Sequence, residues 1–269
     1  MAKLKMISVW TLAVAVLGYL GICGYLYFQQ ERFIFHPTKL ESNYRHTFAG
    51  RFDETMLDVD GAQINVARFF ANEPKGVLLY VHGNGDIILF LEGIAAYFIG
   101  LGFDVVIPDY RGYGKSTGRI TNEAELHSDM EAVYQYVLSE YSKNDVTIYA
   151  QSLGTGIAIP LAANHSPKQL ILESPYFSMA DLVRTHLPFV PSFLLKYQLR
   201  SDLLIIQVKC PVYVIHGSQD MVIPFEQGER LYKLVKNNGE FLHLPDAGHG
   251  PLLGDERLRA FLKQTLAGE

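Results

Sequence analysis

Hydrophobic and polar positions divide the chain into three kinds of stretch. The first is an uncharged run from Met6 to Phe28, 23 positions long. At ~1.5 Å of helical rise per residue it spans the ~30 Å hydrocarbon layer of a bilayer, so it predicts a membrane-crossing helix. The second kind is the short apolar block bounded by polar or glycine positions. Thr55 to Val59 and Gln63 to Phe69 flank Asp60-Gly61, a dipeptide that predicts a hairpin. Gly76 to Val81, Phe103 to Pro108, Val146 to Tyr149, Gln169 to Leu172, Val212 to Ile215 and Glu240 to Leu244 are near-continuous apolar runs of strand length, as in strands buried on both faces. Between them Ile87 to Leu101, Asn122 to Tyr141, Leu153 to Ala163, Phe225 to Val235 and Asp255 to Leu266 read as helices. The third kind is a single irregular piece, Tyr176 to Leu204, broken by Pro188 and Pro191 and dense in aromatic and aliphatic side chains.

Strands alternating with helices predict an α/β domain: a mostly parallel sheet with helices on both faces, opened by an antiparallel hairpin. The chain is thus expected to hold a membrane anchor at 1–30, a tether lying on the domain at 31–54, and an α/β domain at 55–269 with 176–204 as a small helical cap. Three roles fit the cap: holding an acyl chain, touching a bilayer, or roofing the domain.

Composition narrows the partners. With 269 residues, 49% hydrophobic, the chain is long enough to bury a large core, and a net charge of -5 without a Lys/Arg-rich run excludes nucleic acid. Of its two cysteines, Cys23 lies within the apolar run, so a disulfide with Cys210 is not expected. Lys3 and Lys5 precede that run, which favours an amino terminus on the cytoplasmic side and a body on the opposite side. The run exceeds an ordinary signal-peptide core and no A-x-A site follows it, so an uncleaved anchor is expected. Ile22 stands where lipid modification of Cys23 would call for a small residue.

Candidate chemistry gathers where predicted strands end. Ala150-Gln151-Ser152-Leu153-Gly154 lies between a strand and a helix, the setting of a nucleophile elbow, and so sharp a turn needs small residues two before and two after the serine. The strand ending at Ile215 runs into His216-Gly217-Ser218-Gln219-Asp220, and the strand ending at Leu244 into Pro245-Asp246-Ala247-Gly248-His249-Gly250. Carboxyl ends of parallel strands bring distant loops together. Ser152 is then the nucleophile, His249 the base that takes its proton, and Asp220 the acid that fixes the imidazole tautomer and stabilises its cation. Backbone N–H groups of Asn84, after strand Gly76 to Val81, and of Leu153, at a helix start, would meet the developing oxyanion.

Glu173, after the strand beyond the elbow helix, is the rival acid. His82 and His216 read as structural loop anchors, His243 as a core histidine, and Asp246 as a turn former; Asp109 and Arg111 read as braces of the Gly-punctuated loop 109–116. His36, His46, His127, His165 and His186 carry no flanking pattern. No His/Cys/Asp/Glu spacing matches a metal site and no G-x-G-x-x-G follows a strand, so neither metal nor cofactor is expected.

His82-Gly83-Asn84, the D-Y-R-G-Y-G-K-S loop, Gln151-Ser152-Leu153-Gly154-Thr155, His216-Gly217-x-x-Asp220 and Gly248-His249 together resemble the α/β-hydrolase superfamily over about Thr55 to Glu269. The resemblance is to membrane-anchored members described as serine aminopeptidase-like, lysophospholipase-like or depalmitoylating hydrolases. It implies the α/β-hydrolase fold and a serine hydrolase cleaving esters or thioesters of small or lipid-like acyl substrates through an acyl-enzyme. Activity is then expected to fall as His249 protonates, at about pH 6 to 7 for an ordinary imidazole. Two alternatives remain open at this point. An aminopeptidase-like amide hydrolase would need an acidic group beside Ser152 to hold a substrate ammonium, and the sequence singles out none. A non-catalytic binding protein on the same fold is the other.

Overall fold

The computed structural model describes residues 2–267, with side chains from Val9 onward. Met1, Gly268 and Glu269, the outer ends of the expected anchor and α/β units, and the Lys3 and Lys5 side chains lie outside that description.

Helix α1 (Ala2–Ile34) continues beyond the uncharged run. Its extra turns are held by the 176–204 segment: Gln30 accepts the Lys196 N–H (2.8 Å) and donates to the Leu194 carbonyl (3.1 Å), while Glu31 pairs with Lys196 (3.0 Å). The helix stops ahead of His36-Pro37, where proline disfavours helical geometry in the residue before it. From Val9 to Ile34 it is long and apolar enough to cross a membrane, and 6% of that span's most apolar window is buried.

Strands β1 (Phe52–Val59) and β2 (Ala62–Phe69) form the hairpin, with Val59 opposite Ala62 and Gly61 at φ 70° in the turn, a conformation glycine adopts without strain. Then come β3 (Val77–Val81), α2 (Glu92–Gly100), β4 (Asp104–Pro108), α3 (Glu123–Glu140), β5 (Val146–Gln151), α4 (Leu153–His165) and β6 (Gln169–Glu173). The irregular piece supplies α5 (Met179–His186) and the short α6 (Ser201–Leu204), and the chain ends with β7 (Val212–Gly217), α7 (Phe225–Tyr232), β8 (Phe241–Leu244) and α8 (Glu256–Ala267). The eight strands lie in the order β1-β2-β4-β3-β5-β6-β7-β8, with β1, β2 and β4 paired antiparallel and the remaining pairs parallel.

Alternate residues of the central strands face opposite cores. Ile148, Leu170 and Val212 pack with Val133 of α3 and Ile157 of α4; Tyr149, Ile171 and Ile215 pack with Phe98 of α2 and Leu262 of α8. Both faces are covered, which is why these strands show no polar alternation.

Two expectations fail. The helix expected over Ile87 to Leu101 breaks into a 3-10 turn, Ile88–Phe90, and α2, the break falling at Leu91, whose φ -103° and ψ 10° leave helical geometry. His243 is not in the core: β8 is the edge strand, and its exposed imidazole bonds the Ser218 hydroxyl and packs on the Phe225 ring (4.6 Å).

Candidate active site

Ser152 sits between β5 and α4 at φ 49°, ψ -117°, backbone space that a non-glycine residue occupies only where its surroundings compel it. Its N–H is held by the Glu173 carbonyl (2.9 Å). The small residue after it meets β3: a Cβ on Gly154 would lie 2.2 Å from the Val81 carbonyl oxygen and 2.7 Å from that of His82. The close approach that demands glycine is therefore to the neighbouring strand, and Ala150 is not among its nearest contacts.

The tight turn lifts the Ser152 hydroxyl to 3.0 Å from His249 Nε2, and His249 Nδ1 lies 2.8 Å from Asp220 Oδ2. Asp220 is buried, and its other oxygen accepts the N–H groups of Val222 (2.9 Å) and Ile223 (2.7 Å). His216 is more than a loop anchor, because its Nε2 faces both the Ile223 carbonyl (2.9 Å) and Asp220 Oδ2 (3.4 Å). Burial alone would raise the Asp220 pKa, but hydrogen bonds from His216, His249 and the Ile223 N–H outweigh it and hold the carboxyl far below its ordinary value. A charged carboxylate on Nδ1 fixes that proton and leaves Nε2 free to accept from Ser152.

Glu173, the rival acid, is engaged elsewhere. Its carboxylate accepts from the Tyr149 hydroxyl, the Gln151 amide (3.1 Å) and the Leu252 N–H (3.0 Å), and the burial of all this raises its pKa. His82 is fully buried, which lowers its pKa to about 4; it binds the Gly83 carbonyl (2.8 Å) and packs on Tyr110 (4.1 Å between centroids). Arg111 forms a buried two-pronged pair with Asp129 (2.7 and 2.9 Å), and the exposed Asp246 pairs with Arg257 (3.2 Å).

The N–H groups of Asn84 and Leu153 donate to no acceptor among the described residues. The side chain of Asn84 is fully tied: it accepts the His36 N–H (2.9 Å) and the Tyr113 hydroxyl (2.9 Å) and donates to the Ile34 carbonyl (2.7 Å). The end of α1 is thereby built into the loop that follows β3. Ser152, His249 and Asn84 open into a cavity of about 590 Å³ walled by Phe33 and Ile34 after the apolar run, Met179, Leu182 and Val183 of α5, and Ile223.

Sequence reasoning missed several of its residues. Phe33, Ile34 and His36 come from the supposed tether and His186 from the end of α5; none has a flanking pattern. Asp86, which also faces the cavity, stands two residues after Asn84 in the same loop, and only that proximity marked it. Among the described residues no group of three His, Cys, Asp or Glu is placed to hold a metal ion.

A family described as serine aminopeptidase, S33, matches residues 72–205, the stretch that carries the elbow and the cap. Human alpha/beta hydrolase domain-containing protein 17B is 33% identical over 202 residues, 71% of this chain and 68% of that protein. The chain belongs to the α/β-hydrolase family. Within it, the zebrafish (Danio rerio) lysophosphatidylserine lipase ABHD12 is 32% identical over 183 residues, 59% of this chain and 47% of that protein. Among solved structures an esterase from Pyrococcus furiosus superposes with a TM-score of 0.67 at 16% identity, covering 87% of this chain and 96% of its own, a likeness of fold. This α/β-hydrolase has the family's architecture together with an amino-terminal apolar helix, α1.

Proposed function

We propose that this α/β-hydrolase is a membrane-tethered serine hydrolase that cleaves carboxylic esters or thioesters of acyl chains through an acyl-enzyme. The observation that carries the reading is the Ser152–His249–Asp220 chain, 3.0 and 2.8 Å long, beside two N–H donors with no partner among the described residues. His249 takes the Ser152 proton as Oγ bonds to the acyl carbon, and the N–H groups of Asn84 and Leu153 receive the oxyanion. His249 returns the proton to the departing alcohol or thiol, then deprotonates the water that releases the acid.

The apolar walls of the cavity favour an acyl chain. Phe193, 80% exposed, and Phe189 add apolar surface on the cap, Phe33 adds it at the base of α1, and Met221, 84% exposed, adds it in the loop after β7, as suits a bilayer surface. Tyr19 of α1 donates to the Phe189 carbonyl (2.9 Å), so helix and cap run together. In this reading α1 is an uncleaved anchor, with the amino terminus cytoplasmic and the catalytic body opposite. A lipid-hydrolysing relative, the zebrafish lipase, supports lipid-like substrates.

The test uses the full chain in detergent with a fluorophosphonate probe. Wild type is expected to label and Ser152→Ala to stay unlabelled, with acyl esters turned over faster than aminoacyl amides. Equal labelling of the two proteins overturns the proposal.

A further inference from the structure

Asp86 stands apart from every other acid around the cavity. Asp220 and Glu173 are each surrounded by donors. Asp86 is half-buried, and among the described residues neither a hydrogen bond nor an ion pair reaches its carboxylate. It does not cap the 3-10 turn that follows, since the Ile88 N–H there goes to Asp109. Burial is the sole influence on its pKa, which is raised, so no cation compensates it. A carboxylate kept partly dry without a partner costs stability, and such a cost is tolerated where a ligand supplies the missing charge.

Its position suits a ligand. Asp86, Gln151 and Pro251 wall both the cavity that holds Ser152 and a second cleft of about 300 Å³ formed with Tyr80, Phe90 and Tyr97. Gly83 sets the spacing between Asp86 and the elbow: a Cβ there would lie 3.3 Å from Asp86 Oδ2 and 3.2 Å from Gln151 Oε1. Gln151 is itself locked by Tyr80 (3.2 Å) and Glu173 (3.1 Å), so it cannot turn to neutralise Asp86. Arg259, at the edge of the second cleft, donates to the Leu253 carbonyl (2.6 Å) and forms no pair with Asp86.

We infer that Asp86 is a cation subsite: the substrate carries an ammonium group, primary or quaternary, on the portion that does not fill the apolar cavity, and Asp86 selects it. The inference rests on the hydrolase reading and adds the charge of the substrate to it. Asp86 is a specificity residue and takes no part in bond making.

The matched probes are butyrylcholine and its uncharged isostere 3,3-dimethylbutyl butyrate. Wild type is expected to favour the choline ester in kcat/KM by about tenfold, the size of one partly screened charge contact. Asp86→Asn is expected to bring the ratio near one while leaving the neutral ester within about twofold, and Asp86→Glu to restore part of the preference. Equal loss on both esters, or no preference in wild type, overturns the subsite. Should neither ester react, the hydrolase reading fails on its own, and calorimetry decides the subsite: octyltrimethylammonium binding more tightly than octanol to Ser152→Ala, and no longer so to Ser152→Ala/Asp86→Asn, supports it. Equal binding of the two ligands overturns it.

Discussion

Adjacent strands β6 and β7 each end near Ser152 with a buried acid, and the two acids are held in opposite ways. Asp220, past the end of β7, has one oxygen on the His249 imidazole and the other on two backbone N–H groups, and is kept ionised. Glu173, at the end of β6, accepts from Tyr149, Gln151 and the Leu252 N–H, and its burial raises its pKa. The Asp220 contact orients the His249 imidazole. The Glu173 contacts tie β5 to the stretch just beyond His249 and so hold the loop that carries this imidazole. Nearness to Ser152 therefore does not distinguish the two carboxylates; what each already binds does.

Asp220→Asn breaks this comparison with the largest expected effect. The geometry survives, but a neutral amide neither stabilises the imidazolium nor fixes the tautomer, so kcat for an acyl ester should fall by about 10³ to 10⁴. Progress curves on wild type and variant measure it. A loss below about tenfold would mean that another carboxylate serves His249, with Glu173 the one at hand.

Glu173→Ala sharpens the comparison from the other side and acts first on stability. Three buried donors, the Tyr149 hydroxyl, the Gln151 amide and the Leu252 N–H, lose their acceptor together. Unsatisfied buried donors cost about 1 to 3 kcal/mol each before relaxation, so a loss of about 3 kcal/mol is expected in denaturant unfolding of the solubilised protein. Folded variant should keep the pH profile of the wild type, because Asp220 is untouched. A displaced profile with unchanged stability would reverse the roles of the two acids.

The strand ends were legible because parallel strands buried on both faces write themselves as apolar runs, and the residues just past those runs fall on the rim of the sheet. Ser152, Asp220 and His249 stand just past such runs, and the fold brings the three side chains together. Glu173 and Asp220 could be ranked only with coordinates, since both follow buried strands and their partners Tyr149, Gln151 and Leu252 come from three separate segments. The His243 error has the same origin: alternation along β8 carries no information on whether a further strand covers it, and β8 is the edge. Phe33, Ile34 and His36 were illegible as pocket residues because their place depends on Asn84 reaching back about fifty positions to the end of α1.

A third strand end offers the smallest and most specific test. Asp109, after β4, is as buried as Glu173 but is less well held: Oδ1 accepts the Ile88 N–H (2.8 Å), and among the described residues no donor reaches Oδ2 in hydrogen-bonding geometry, although Asn65 and the Lys115 N–H lie near enough to favour the ionised form. Burial pushes its pKa from 3.8 to about 7. The folded protein then holds this proton where the unfolded chain releases it, so the contribution of Asp109 to stability is full below about pH 4 and is lost as pH rises to about 7. Asp109→Asn retains an oxygen for Ile88 and removes the ionisation. Its stability relative to wild type should therefore rise across that window, by on the order of 1 to 2 kcal/mol once relaxation lessens the burial penalty. Urea unfolding at pH 4.5 and pH 7.5 reads the difference directly. A difference independent of pH would mean that Asp109 is ionised in the fold like Asp220, and that lack of donors at a strand end does not by itself keep a carboxyl protonated.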